Sequence, residues 1–232
     1  MKTKTINFFN RKGGVGSTLY ASHTAFYGHA LGRSTLGISL DQNNDMAQFL
    51  LPTLPWADAT EGIPPGPWDL RVVDVWSCSN VAHLLRPDLW VMLMDSPTAF
   101  HNGMRAIAEE LVGPVLCVWN QRLPDPSDPS PLRVPEPLAD RVTFADVRIT
   151  RRPELDMLPG CVWANDPDST GAKETRQLVS EVLARAGLHP PGAPPPRNFP
   201  KIFGSAGQGI HRDYRAREAA ALAGIVASLG QG

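Results

Sequence analysis

Short apolar blocks, separated by polar or glycine- and proline-rich stretches, carry the pattern of this chain. Ile6, Phe8 and Phe9, around Asn7, form one, residues 115–119 another, and Leu89-Trp90-Val91-Met92-Leu93-Met94 is the clearest. Blocks of this length without polar alternation predict strands buried on both faces, as in a parallel sheet. Residues 34–40 and 68–75 are read as two further strands, and residues 142–149 as a strand at the sheet edge. Helical signals lie between them. Residues 17–31 contain no proline and no glycine but Gly28, and residues 99–111 place Phe100, Met104, Ile107 and Leu111 on one face. Residues 171–186 repeat Ala172, Thr175, Leu178, Val179, Val182 and Leu183 at helical spacing, behind Asp168, Ser169 and Thr170 as candidate caps. This alternation predicts an α/β fold, a mostly parallel sheet flanked by helices on both faces.

With 232 residues the chain has room for one such domain and a sizeable core. The 23 prolines cluster chiefly in residues 52–67, 124–137 and 190–200, which are read as long connections, the stretch over 51–68 as one that crosses the surface. The expected organisation is an α/β domain over 1–188, a proline-rich linker over 189–200, and a C-terminal helical segment over 201–232 packed on the same domain. Within that segment residues 210–229 read as an amphipathic helix, with Tyr214, Leu222, Ile225, Val226 and Leu229 facing one way. A formal charge of -1 excludes a uniformly polybasic nucleic-acid binder, so any such surface has to be local. Three distant cysteines, Cys78, Cys117 and Cys161, suit buried thiols in a reducing compartment. No stretch is long and apolar enough to span a membrane and no signal-peptide pattern is present, so a cytoplasmic protein without membrane association is expected. His23 and His29 lack metal-ligand spacing and read as packed or surface imidazoles.

Candidate chemistry concentrates where the first strand ends, in Arg11, Lys12, Gly13, Gly14, Val15, Gly16, Ser17 and Thr18. Glycines between a strand and a helix let backbone N–H groups turn toward an anion at the helix start. The general phosphate-loop pattern ends in Gly-Lys-Ser/Thr, its lysine on the outer phosphates and its hydroxyl on Mg²⁺. Here the triplet is Gly16-Ser17-Thr18, so the hydroxyl is present, the lysine is absent, and a different lysine, Lys12, stands at the loop entrance.

This loop resembles the deviant Walker A loop of the ParA/MinD family of partition and positioning ATPases, Lys-Gly-Gly-x-Gly-Lys-Thr/Ser, with Ser17 in place of the second lysine. The resemblance runs over roughly residues 2–185, strongest at the loop, and implies a phosphate-loop NTPase fold that binds ATP or ADP with Mg²⁺. It implies that Lys12 reaches across a homodimer to the partner's nucleotide, while Gly13, Gly14, Val15, Gly16, Ser17 and Thr18 surround the phosphates. Asp41 aligns with the second aspartate of the family's Asp-x-Asp-Pro-Gln segment, which organises the attacking water and the metal; Ser39 stands at the first. Asp41 could at the same time serve as a helix N-cap. Asp74, near the end of its strand, matches the carboxylate that holds Mg²⁺ together with Thr18, or is an ordinary strand-terminal aspartate. Trp76 follows where the family has a small residue. Asn120 occupies the place of an asparagine that reads the adenine edge, or is a turn former.

Family members bind DNA without sequence preference through basic residues near their C-terminal helices, and Lys201, Arg212, Arg215 and Arg217 are the corresponding candidates. A solvated helix face, offset by Asp213 and Glu218, is the alternative for that cluster. A partition or cargo adaptor protein is the further partner implied. Two functions therefore stand side by side: an ATP-dependent switch in plasmid or chromosome partition or cargo positioning, and a pseudo-ATPase scaffold whose loop survives as architecture. Ser17 argues for low or absent turnover, because a loop without its lysine lacks a charge-assisted contact in an electrostatically driven site.

Overall fold

The structure is a computed structural model that describes residues 2–40, 46, 54–59, 61–75, 86–121, 132–150, 162, 167–190 and 193. Its strands are β1 (Lys4–Phe9), β2 (Thr35–Ser39), β3 (Trp56–Asp58), β4 (Leu70–Val75), β5 (Leu89–Met94), β6 (Val115–Gln121), β7 (Val142–Phe144) and β8 (Ile149–Thr150). Three α-helices are described, α1 (Ser17–Ala30), α2 (Pro97–Glu109) and α3 (Thr170–Arg185). The strands pair in the order β3-β2-β4-β1-β5-β6-β7, with β8 on the far end of β6, and every pairing is parallel. β1 lies at the centre, with Phe8 opposite Asp74 of β4 and Val91 of β5. Parallel order brings the strands' carboxyl ends to one edge, where such sheets take ligands.

Two apolar layers sandwich the sheet, as the unbroken strand runs predict. Ile6, Phe8, Val72 and Val91 meet α1 and α3 on one face. Phe9, Val73, Trp90 and Met92 meet Phe100, Met104 and Ile107 of α2 on the other. Trp90, Tyr20, Phe8 and Phe100 are almost fully buried, each contributing about 2–3 kcal/mol of transfer free energy. Glycine permits close approach of helix to sheet on both faces: a Cβ at Gly28 of α1 would lie 2.5 Å from Leu70 Cδ2, and one at Gly103 of α2 would meet Met92 Sδ at least as closely. Ser96 caps α2 by accepting from Ala99 N at 3.2 Å, with Pro97 in its first turn, and Ser169 caps α3 by accepting from Ala172 N at 3.1 Å. The start of β1 is fixed by Asp88, which accepts from Lys4 Nζ and from the Thr5 amide, both at 2.9 Å.

Two expectations change in detail. The proline-rich excursion after residue 51 is not wholly a surface crossing, because Trp56–Asp58 adds a parallel strand to the edge of β2, aided by Gly37 N donating to Pro55 O. The edge strand expected over 142–149 is two strands, β7 on the first half of β6 and β8 on its last two residues. The break falls at Asp146, whose amide donates to Glu181 of α3 instead of to the sheet. The helix expected over 210–229, most of the linker, and Cys78 and Cys161 lie outside the described residues. Among the described residues no helix is long and apolar enough to cross a membrane.

Candidate functional site

β1 ends at Phe9 and the chain turns through residues 10–16 into α1. Gly14 and Gly16 take positive φ, 76° and 94°, a region that L side chains rarely occupy. Gly16 is the N-cap of α1 and offers no side chain to the free amides, and the first turn holds no acidic residue. Among the described residues no capping side chain or first-turn carboxylate offsets the partial positive charge of this helix start, which lies at the carboxyl edge of the sheet.

Neighbouring strands brace this turn. Asn120 Nδ2, at the end of β6, donates to Val15 O at 2.6 Å. A Cβ on Gly16 would meet that same amide nitrogen at 3.1 Å and Tyr20 Cε2 at 3.2 Å. Asn10 Oδ1 accepts from the Lys12 amide at 2.6 Å, and its Nδ2 donates to Leu93 O of β5. Both cations of the loop are engaged. Arg11 pairs with Glu110 beyond the end of α2, and Lys12 Nζ sits 2.7 Å from both carboxylate oxygens of Asp95. Ser17 Oγ is shielded from solvent and has no hydrogen-bond partner among the described residues.

The candidate metal ligands are adjacent by topology. Thr18 lies in the first turn of α1. Asp74 is buried in β4, opposite Phe8 of β1 and Ser39 of β2, on the sheet face that α1 covers. A buried carboxylate and a helix-start hydroxyl are both oxygen donors, the ligand type that Mg²⁺ takes. Asp41 and Trp76 lie outside the described residues, as do Lys201, Arg212, Arg215 and Arg217. The structure thus brings together Lys12, Gly13, Gly14, Val15, Gly16, Ser17, Thr18 and Asn120, with Asp74 on the strand beside them.

Two residues of this region escape a reading of the sequence. Asn10 and Asp95 restrain Lys12, one through its backbone and one through its side chain. Asp95 follows an apolar strand much as Asp74 nearly ends one, but only the order β1-β5 shows that it faces the loop.

His23 in α1 is a packed imidazole, as expected. It is fully buried, with Nδ1 2.7 Å from Leu19 O and Nε2 accepting from Val162 N at 3.0 Å. Burial pushes its pKa down from 6.5 to about 4, against the opposing bond to Leu19. No group of three or more metal-binding side chains occurs among the described residues. Cys117 is buried in β6, and desolvation pushes its thiol up to about 12, the environment of an inert packed cysteine rather than of an activated one. A cavity of about 730 Å³ opens over α3, lined by Tyr27, Lys173, Arg176, Ser180 and Glu181 among others, and none of residues 10–18 borders it.

No family model and no curated protein matches the chain by sequence. Solved structures match it by fold. A ParA family ATPase from Chlorobium tepidum has a TM-score of 0.60 at 14% identity, over 78% of this chain and 99% of that one. The pNOB8 ParA bound to nonspecific DNA gives 0.54 at 14%, over 80% and 99%. The septum site-determining protein MinD from Pyrococcus horikoshii, complexed with Mg-ADP, gives 0.54 at 17%, over 81% and 98%. The fold is that of the ParA and MinD ATPases, as the loop resemblance implies.

Proposed function

We propose that this chain is a ParA/MinD-type nucleotide-binding switch that turns over slowly or not at all, serving plasmid or chromosome partition or the positioning of another cargo. The observation that carries this reading is the turn at residues 10–16, with Gly14 and Gly16 in positive φ ahead of an open helix start and Asp74 on the strand beside it. In this reading the amides of residues 13–18 hold the phosphates of ATP or ADP, Thr18 and Asp74 hold Mg²⁺, and Asp41 orients water. The metal would supply charge neutralisation of the phosphates. Asn120 braces the loop through Val15, and a base contact would be a second duty of its amide. Lys12 would bridge to a second copy of the chain. Non-specific duplex DNA would meet Lys201, Arg212, Arg215 and Arg217, a proposal supported by the DNA-bound pNOB8 relative and by that basic cluster in the sequence.

The pseudo-ATPase alternative is favoured by a specific observation: Arg11 and Lys12 are both paired with carboxylates, and the residue at the missing lysine's position is a serine. Calorimetry with Mg-ATP and Mg-ADP on the wild type and Ser17→Lys separates the readings. Micromolar binding by the wild type, about -8 kcal/mol, supports the switch. Binding recovered only in Ser17→Lys supports the scaffold. No binding by either protein overturns the nucleotide reading.

A further inference from the structure

The Lys12–Asp95 pair is unlike an ordinary surface ion pair. The Asp95 side chain is only 2% exposed while that of Lys12 is 40% exposed, and the ammonium touches both carboxylate oxygens at 2.7 Å. Ser96 Oγ donates to Asp95 Oδ1 at 3.0 Å and also caps α2, so the carboxylate is anchored to the start of a helix. The Lys12 backbone is held as well, through Asn10. A buried carboxylate is costly to leave without its cation, and that cost falls on any movement of Lys12 away from the loop's own subunit.

We propose that Asp95 is a latch, a positioning residue that holds Lys12 inside its own chain until a polyphosphate anion competes for the ammonium. The proposal rests on the nucleotide reading of the loop and adds to it the control of the lysine. With Ser17 supplying no charge, Lys12 is the nearest lysine in sequence to the anion site, and Asp95 neutralises it in the resting chain. The exchange is ionic: the ammonium trades carboxylate oxygens for phosphate oxygens, with no bond made or broken. The latch therefore sets a threshold, and nucleotide affinity is lower than the open helix start alone would give.

Asp95→Asn tests this, since the amide keeps an oxygen to accept from Ser96 and removes only the charge. Four full-length proteins are compared: wild type, Asp95→Asn, Ser17→Lys and the double variant. The Lys12 ammonium is followed by its ¹⁵Nζ resonance in lysine-labelled protein, assigned with Lys12→Arg, and Mg-ATP affinity by calorimetry. The expected result is a Lys12 ammonium protected from hydrogen exchange in the wild type and unprotected in Asp95→Asn. Mg-ATP affinity should rise about tenfold on removing the Asp95 charge, in the wild-type or the Ser17→Lys background. Binding in Ser17→Lys that Asp95→Asn leaves unchanged or weakens, or a Lys12 resonance identical with and without the Asp95 charge, overturns the latch while the nucleotide reading stands. Absence of binding in all four proteins removes the nucleotide reading, and the latch with it. An unaltered melting temperature in Asp95→Asn shows that the comparison is made on folded protein.

Discussion

Replacing His23 by glutamine should remove a large part of the chain's sensitivity to mild acid. The backbone amide of Val162 can only donate, so Nε2 of His23 is the bare acceptor and Nδ1 carries the proton that Leu19 O receives. Protonating Nε2 would set an N–H against an N–H in a site closed to water. Burial accordingly lowers the pKa from 6.5 to about 4. The unfolded chain takes up this proton near its ordinary value and the folded chain does not, so stability falls as pH drops. The contribution is complete above pH 6.5, declines through the window from 6.5 to 4, and is gone below it. At 1.36 kcal/mol per pKa unit the full window is worth about 3 kcal/mol, and the step from pH 7 to pH 5 about 2 kcal/mol. Urea unfolding of wild type and His23→Gln at both pH values isolates the effect, because every other titrating group is common to the two proteins. The wild type should lose about 2 kcal/mol more than the variant between pH 7 and pH 5. Equal losses would show that the His23 imidazole does not set this acid sensitivity.

Gly28→Ala should lower stability by about 1 kcal/mol in denaturant unfolding, since the new Cβ strikes Leu70 by more than alanine's helix propensity returns; a stabilised variant would contradict the packing described. Asn120→Ala removes the bond to Val15 O, with a cost of about 1 kcal/mol and faster amide hydrogen exchange at Val15 and Gly16; unchanged loop exchange would show that the brace is idle. Lys12→Ala leaves the buried Asp95 carboxylate without its ammonium and should cost about 1–3 kcal/mol at pH 7, below the range for fully buried pairs because Lys12 is 40% exposed. A thermal melt that matches the wild type would count against a strong pair.

The strands that were legible are those buried on both faces. Leu89–Met94 has no polar interruption, so its apolar run alone marks it. The loop was legible because strand, glycines and helix follow one another without a gap. Trp56–Asp58 was not, because a three-residue edge strand is defined by its partner β2 rather than by its own composition. The break between β7 and β8 depends on Glu181 capturing the Asp146 amide, a contact made across 35 residues of sequence. Asp95 was invisible for a related reason. Its significance comes from lying opposite a lysine 83 residues away, which requires β5 to be the neighbour of β1. Sequence pattern reports each element's burial, and pairing partners decide the rest.

A nucleotide switch built on this turn requires the amides of residues 13–18 to receive a phosphate. Titrating ¹⁵N-labelled protein with Mg-ADP and following the backbone amide resonances tests it directly. Saturable shifts are expected at Gly13, Gly14, Gly16, Ser17 and Thr18, larger than those in the rest of α1. Loop amides unmoved at millimolar nucleotide, or shifts confined to Lys173 and Arg176 beside the cavity over α3, would contradict phosphate binding at this turn.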